Sequence, residues 1–272
     1  MHHEVIWLYD IDQTRPRRQD TSAMQAARAQ TWAKTAAKWA CEHCGAKPEN
    51  FGELVHWWIK PGVCEECGEM LKKQAQADRL EAKFDRDRKA ACKWAHDLMR
   101  RQDWAIVDTE TSGIRGIVLD LAAIAPDGRE LFNSLVHADG ATIEPGARAV
   151  HQITDQELEQ APKLPEIWPA FQRSLEHCTT IVAYNSTFDQ ARIDQSARRY
   201  SLPALAQEWQ CAMLEYARYY GDWNSYYGSY CWQKLPGAGH RAIADARATL
   251  ELIKRMAAEH QEAAARSKPS NE

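Results

Sequence analysis

The sequence predicts an α/β protein: a mixed sheet flanked by helices, preceded by a small helical module that carries paired cysteines. Three observations carry that expectation. Three short apolar runs between Trp104 and His137 follow one another at turn spacing, as in a meander. From Leu164 to Ala258, helix-type periodicity alternates with short β-like runs, the pattern of an α/β plan. Before Trp104 the texture is different, first Ala-rich, then cysteine-bearing, then densely charged.

Residues 1–40 open with a short apolar run, Val5 to Tyr9, of β character, which Arg15-Pro16-Arg17-Arg18 interrupts. Asp20-Thr21 is a plausible N-cap for an Ala-rich helix to about Ala40. Residues 41–68 hold the cysteine pairs. Residues 69–103 contain no Pro and no Gly from Glu69 to Arg101 and read as a connecting helix of roughly 45 Å. Its apolar stripe is Leu71, Leu80, Phe84, Ala91, Trp94 and Leu98.

Residues 104–258 form the main domain. Trp104 to Asp108, Gly116 to Ala125 and Glu130 to His137 read as strands, with Pro126-Asp127-Gly128-Arg129 as a turn. A Pro-containing loop follows. Leu164–His177, Phe188–Tyr200, Met213–Tyr220 and Ala242–Ala258 read as helices, Thr180–Tyr184 and Glu208–Cys211 as strands. Residues 259–272 form a polar tail that is expected to fray.

At 272 residues and 44% hydrophobic, the chain can bury a sizeable core, and 26% charged residues is ordinary for a soluble protein. Its longest apolar run, Ile117 to Ala125, is too short for a membrane span and carries Asp120. With no signal-like segment either, the reading predicts a cytoplasmic protein without membrane contact. The net charge of −4 does not advertise a nucleic-acid binder. Residues 104–272 carry the acidic excess, 16 Lys+Arg against 22 Asp+Glu. Clustered carboxylates can still bind a polyanion through divalent cations.

The densest chemistry is Val107-Asp108-Thr109-Glu110-Thr111-Ser112-Gly113. Side chains alternate along a strand, so Asp108 and Glu110 project from one face, as oxygen ligands for a hard cation such as Mg²⁺ or Mn²⁺. A second motif, Tyr184-Asn185-Ser186-Thr187-Phe188-Asp189, runs from a strand end into a helix, where open α/β sheets place ligands. The third is His240-Arg241-Ala242-Ile243-Ala244-Asp245. Five residues along a helix turn roughly 140° off the starting face, so His240 and Asp245 share a site only if His240 lies on the preceding loop. Pro236-Gly237-Ala238-Gly239 makes that loop plausible. A loop histidine is suited to general-base work.

In order and spacing these motifs resemble the DEDDh branch of the DnaQ-like 3′–5′ exonucleases, whose fold is ribonuclease H-like. The matching residues are Asp108-Thr109-Glu110-Thr111, Asn185 to Asp189 and His240 to Asp245, with Val150-His151-Gln152-Ile153-Thr154 similar to an H-G-I-T segment. The resemblance covers about residues 104–258. It implies two-metal phosphodiester hydrolysis with two Mg²⁺ or Mn²⁺ ions. Asp108 would bridge both, Glu110 and Asp245 would complete one shell, and Asp189 would support the other. His240 would be the general base, and Glu110 would also meet the terminal 3′-hydroxyl. Thr111, His151, Asn185 and Phe188 are the implied substrate-binding residues. Two departures stand out: Gln152 replaces the usual Gly, and only Gln233 to Gly239 separate Trp232 from His240. The aromatic-rich segment Gly221 to Trp232 reads either as core packed under a sheet edge or as a wall on which bases stack.

Cys41, Cys44, Cys64 and Cys67 follow C-x₂-C-x₁₉-C-x₂-C, the spacing of a closed four-thiolate zinc site. A glycine follows each second cysteine, which suits tight zinc-knuckle turns. Trp57-Trp58, Lys60, Arg15, Arg17 and Arg18 could touch nucleic acid, or the module could be a structural staple. The expected partner is nucleic acid, single-stranded DNA first. Two alternatives remain: an exoribonuclease with the same chemistry, or a non-catalytic zinc adaptor for nucleic-acid ends or a protein.

Overall fold

The computed structural model describes residues 22–266, so the run Val5–Tyr9, Arg15, Arg17, Arg18 and the last six residues lie outside the described residues. The chain divides at Leu80 into two units. The first contains α1 (Ser22–Lys38), α2 (Phe51–His56), a small antiparallel pair β1 (Trp58–Lys60) and β2 (Val63–Cys64), and the beginning of α3 (Glu65–Met99). Asn50 caps α2, its side-chain oxygen accepting from the Glu53 amide at 3.0 Å. At 35 residues α3 is about 52 Å long. It starts four residues earlier than the charge pattern suggests, directly after Cys64. The expected apolar stripe is exposed at Leu71 and buried only later, at Ala91 and Leu98.

The second unit is built on one five-stranded sheet. β3 (Trp104–Thr111), β4 (Val118–Ile124) and β5 (Glu130–Leu135) form the antiparallel meander, while β6 (Thr180–Ala183) and β7 (Glu208–Cys211) add parallel to β3. The order β5-β4-β3-β6-β7 makes β3 central and the sheet mixed, the ribonuclease H-like arrangement. Between β5 and β6 lie α4 (Pro145–His151), α5 (Asp155–Gln160) and α6 (Leu164–Ser174). α7 (Ser186–Arg199) joins β6 to β7. After β7 come α8 (Ala212–Tyr220), a two-stranded hairpin of β8 (Trp223–Asn224) and β9 (Ser229–Tyr230), and α9 (Ala242–Arg266). α9 continues past Ala258, where the polar composition suggests an end. No described helix is long and apolar enough to cross a membrane.

The pleat of β3 divides the core. Trp104 and Ile106 face one cluster with Ala246, Leu250 and Ile253 of α9 and Ala91, Ala95 and Leu98 of α3. Ala105 and Val107 face the other, with Trp168 and Phe171 of α6 and Ile193 of α7. All four β3 residues are fully buried. Continuing the alternation sends Asp108 and Glu110 toward α9 and Thr109 toward α7.

Candidate active site

Carboxylates from three segments meet at the end of β3. Ligand oxygens of Asp108, Glu110 and Asp245 lie within 4.8 Å of one another. Asp108 and Glu110 arrive from one face of β3, and Asp245 from the first turn of α9. Asp189, in the first turn of α7, is buried just beside them. Its Oδ1 accepts from the Thr109 hydroxyl at 2.7 Å. His240 precedes α9 on an exposed loop, so the loop placement required by its spacing from Asp245 is met. Its φ of 55° is left-handed, uncommon for a residue other than glycine. Asp245 secures this turn: its Oδ1 accepts from the amides of Gly239 at 2.6 Å and His240 at 3.1 Å.

The electrostatics of the site call for a cation. Burial, then the neighbouring carboxylates Asp245, Asp120 and Asp189, push Glu110 up to about 8. Burial likewise pushes Asp189 up to about 7 against the opposing Thr109 hydrogen bonds. Asp108 is driven well above the carboxylate range by burial and by the charges of Asp189, Asp245 and Glu110. Packing like charges this closely without counter-charge is costly, and oxygen donors of this kind suit a hard divalent ion. The residues present therefore fit such ions.

The carboxylates floor a cleft of about 610 Å³, lined also by Thr109, Val150, Tyr184, Asn185, Phe188, Lys234, Leu235 and His240. A model of the RNase_T exonucleases matches residues 105–253, the whole of this arrangement. The chain belongs to the RNase_T exonuclease family. It is 33% identical over 186 residues to a protein named uncharacterized exonuclease CP81 from Escherichia phage 186, spanning 61% of this chain and 92% of that protein. It is 29% identical over 157 residues to exodeoxyribonuclease 10 of Escherichia coli (strain K12), spanning 54% and 66% respectively. A solved structure of exonuclease X in complex with 5′-overhanging duplex DNA is 28% identical and covers 57% of this chain and 93% of its own, with a TM-score of 0.40.

This exonuclease carries the Asp, Glu, Asp, Asp and His of the DEDDh pattern at Asp108, Glu110, Asp189, Asp245 and His240. Of the four residues that the family resemblance assigns to substrate, Asn185 and Phe188 line the cleft. Thr111 and His151 are buried instead. The Thr111 hydroxyl donates to the Gly113 carbonyl at 2.9 Å, and His151 Nδ1 accepts from the Ile153 amide at 3.0 Å. Val150, the neighbour of His151, lines the cleft in its place. Gln152 is the left-handed C-cap of α4, with φ 56°, which explains why a glycine would be at home there.

Asp120 and Arg241 were not singled out by the motifs. Asp120 lies opposite Glu110 in the β3–β4 register and is 1% exposed. Its Oδ2 accepts from Arg241 Nε at 2.9 Å and from the Ala242 amide at 3.2 Å. The pair thus pins the start of α9, which positions both His240 and Asp245. The signal was available: a lone charge inside an apolar strand must be paired if that strand is buried.

The cysteines of the first unit form a second cluster. Sulfurs of Cys41, Cys44, Cys64 and Cys67 all lie within 4.8 Å of one another. The Cys44–Cys64 separation is 3.7 Å, far beyond a disulfide and close to the edge, about 3.8 Å, of a tetrahedron with metal–sulfur bonds of about 2.3 Å. Backbone hydrogen bonding at Cys64 lowers Cys41 to about 6, while hydrogen bonding with Cys64 and burial push Cys67 up. Gly45, after Cys44, has φ 74° and makes the expected tight turn. Gly68 does not: it sits in α3, where a Cβ would come within 2.2 Å of Ile59 Cδ1. Its lack of a side chain serves close packing.

Proposed function

We propose that this exonuclease releases nucleoside monophosphates from nucleic-acid 3′ ends, single-stranded DNA first, using two Mg²⁺ or Mn²⁺ ions. The observation that carries the proposal is the convergence of Asp108, Glu110 and Asp245 in an open cleft beside His240. Ions held by Asp108, Glu110, Asp189 and Asp245 would polarise the scissile phosphate and offset the charge that develops on it. His240 accepts the proton of the attacking water; its exposed loop leaves the ring accessible to the cleft. Thr109 fixes the Asp189 carboxylate, and Asp245 fixes the turn that carries His240. Asn185 and Phe188 hold the terminal nucleotide by a polar contact and an aromatic face, and Lys234 offers a charge for phosphate.

DNA is favoured because one relative is named an exodeoxyribonuclease. An exoribonuclease would use the same residues, since carboxylates, histidine and lysine address phosphate and end rather than the 2′-hydroxyl. The test uses 5′-labelled DNA and RNA strands of equal sequence with Mg²⁺ or Mn²⁺, each with a free or a 3′-phosphorylated end. Stepwise shortening of DNA from a free 3′ end, slower on RNA and blocked by the phosphate, is expected. Shortening from the 5′ end, or none with either cation, would overturn the reading.

For the first unit the proposed ligand is one structural Zn²⁺ on Cys41, Cys44, Cys64 and Cys67. Four thiolates leave no position for water, so this ion holds the fold and takes no part in hydrolysis. The exposed Trp57 shares its groove with Glu65, Glu66 and Glu69. With Lys73 as the one cation among these lining residues, the acidic excess disfavours phosphate, which supports the staple role over nucleic-acid binding.

A further inference from the structure

The aromatic segment between α8 and His240 separates into two groups. Trp223 and Tyr230 pair across β8 and β9, with ring centroids 5.1 Å apart and nearly perpendicular. Phe84 of α3 packs against both, and Lys83 Nζ lies 4.4 Å from each ring centroid while donating to the Tyr230 hydroxyl at 3.2 Å. Asp87 accepts from both Lys83 and Tyr230. These residues anchor the hairpin, and they account for part of the segment as packing.

The second group is different. Tyr226, Tyr227 and Trp232 are 88%, 75% and 71% exposed. Their backbone is nevertheless fixed. Asn224 Oδ1 accepts from the amides of Tyr226 and Tyr227, the Gly228 amide donates to the Asn224 carbonyl, and the Cys231 amide donates to Asp222. The Tyr226 and Tyr227 rings meet edge to face at 4.9 Å, so each keeps a π-face open. Exposing two large rings on a braced turn and a third just after β9 is unfavourable unless something covers them.

The hairpin leads directly into the cleft. Trp232 stands two residues before Lys234, which lines it. The Tyr184 hydroxyl, also from the cleft wall, donates to the Gln233 carbonyl at 2.6 Å and fixes that connection. Five residues separate Gly228 at the turn from Lys234, so the turn lies at most about 22 Å along the chain from the cleft, a few nucleotides of strand. A strand whose last nucleotide sits over the carboxylates must leave the cleft, and exposed π-faces suit unpaired bases of any sequence.

We propose that Tyr226, Tyr227 and Trp232 form a stacking platform for unpaired bases a few nucleotides upstream of the cleaved end. The inference rests on the exonuclease reading above and adds a substrate-length preference to it. The probes are a single-nucleotide substrate, thymidine 5′-monophosphate p-nitrophenyl ester, and a 20-nucleotide single-stranded DNA, both turned over by the full chain. In Tyr226→Ala/Tyr227→Ala and in Trp232→Ala, KM for the 20-mer should rise about ten-fold with kcat little changed. Hydrolysis of the ester should stay at the parent rate. Tyr226→Phe/Tyr227→Phe, which keeps the rings, should restore the parent KM. An unchanged KM for the 20-mer, an equal loss on ester and strand, or a Phe variant as impaired as the Ala variant would each overturn the platform. A parent that cuts neither substrate would overturn the exonuclease reading instead. Anisotropy of a labelled 20-mer with Ca²⁺ would then still test the platform: weaker binding by the Ala variants supports it, and equal binding refutes it.

Discussion

Glu110 and Asp245 differ from ordinary surface acids in what holds them. With Asp108, each offers an oxygen within 4.8 Å of the others. Asp108→Ala, Glu110→Ala and Asp245→Ala should each abolish hydrolysis in protein that remains folded by circular dichroism. Near-parent rates in any two, at saturating cation, would remove the carboxylates from the metal site. His240→Ala acts on the proton instead. Its rate should fall by about 10²–10⁴-fold while cation binding, read by calorimetry, stays at the parent value. A variant that loses cation affinity in proportion to rate would make the histidine a ligand. Gln152 tests a backbone term alone. Its left-handed φ and exposed side chain mean that Gln152→Gly should raise stability by roughly 0.5–1 kcal/mol in urea unfolding. Lower stability would mean that the side chain does something its exposure does not reveal.

At the level of elements, the start of α9 is the part on which the site depends most. Asp120 is buried, whereas its partner Arg241 is 42% exposed. Removing the arginine strands a charge without water, while removing the carboxylate leaves a guanidinium that water can reach. Arg241→Ala should therefore cost about 3 kcal/mol, and Asp120→Asn about 1 kcal/mol. Equal costs in denaturant titration would show that the pair is solvated. Both should lower kcat, because His240 and Asp245 flank the pinned residues. Much of this architecture was legible in the residues. The meander, the later helices and the loop position of His240 follow from periodicity and from the angle between positions 240 and 245. α4 and α5 were not legible, being seven and six residues long, with Pro145 and Gly146 opening the first. Nor was the β8–β9 hairpin, whose two-residue strands are too short to show alternation. The burial of Thr111 and His151 escaped for another reason. A motif records which residues recur together, not which of two neighbours faces the cleft, and here Val150 does.

On the scale of the whole molecule, the two units should answer to different ions. Cys41→Ser should release zinc and loosen residues 41–68, since metal binding and folding are coupled in so small a module. Turnover of short oligonucleotides should persist, because the second unit has its own core. Lost turnover would show that the catalytic core relies on the cysteines. The carboxylates respond to pH. Without cations, Glu110 and Asp189 keep protons to about 8 and about 7 that an unfolded chain releases near pH 4–5. The folded state then binds more protons than the unfolded across that window, so its stability falls as pH rises from about 5 to 8. Melting temperature in Mg²⁺-free buffer should drop over this range, and Mg²⁺ or Mn²⁺ should restore most at the alkaline end. A rise with pH would contradict the buried-acid description. The carboxylates that meet at β3 also come from distant parts of the chain, the first at Asp108 and the last at Asp245 on α9. A ribosome adding about 5–20 residues per second needs roughly 7–27 s to pass from one to the other. Until α9 emerges and packs on the sheet, the growing polypeptide has Asp108, Glu110 and Asp189 but lacks Asp245, which holds the turn carrying His240. A chain that ends before Ala242 should therefore not shorten nucleic acid, and activity should arrive only with α9; cleavage by such a fragment would contradict this.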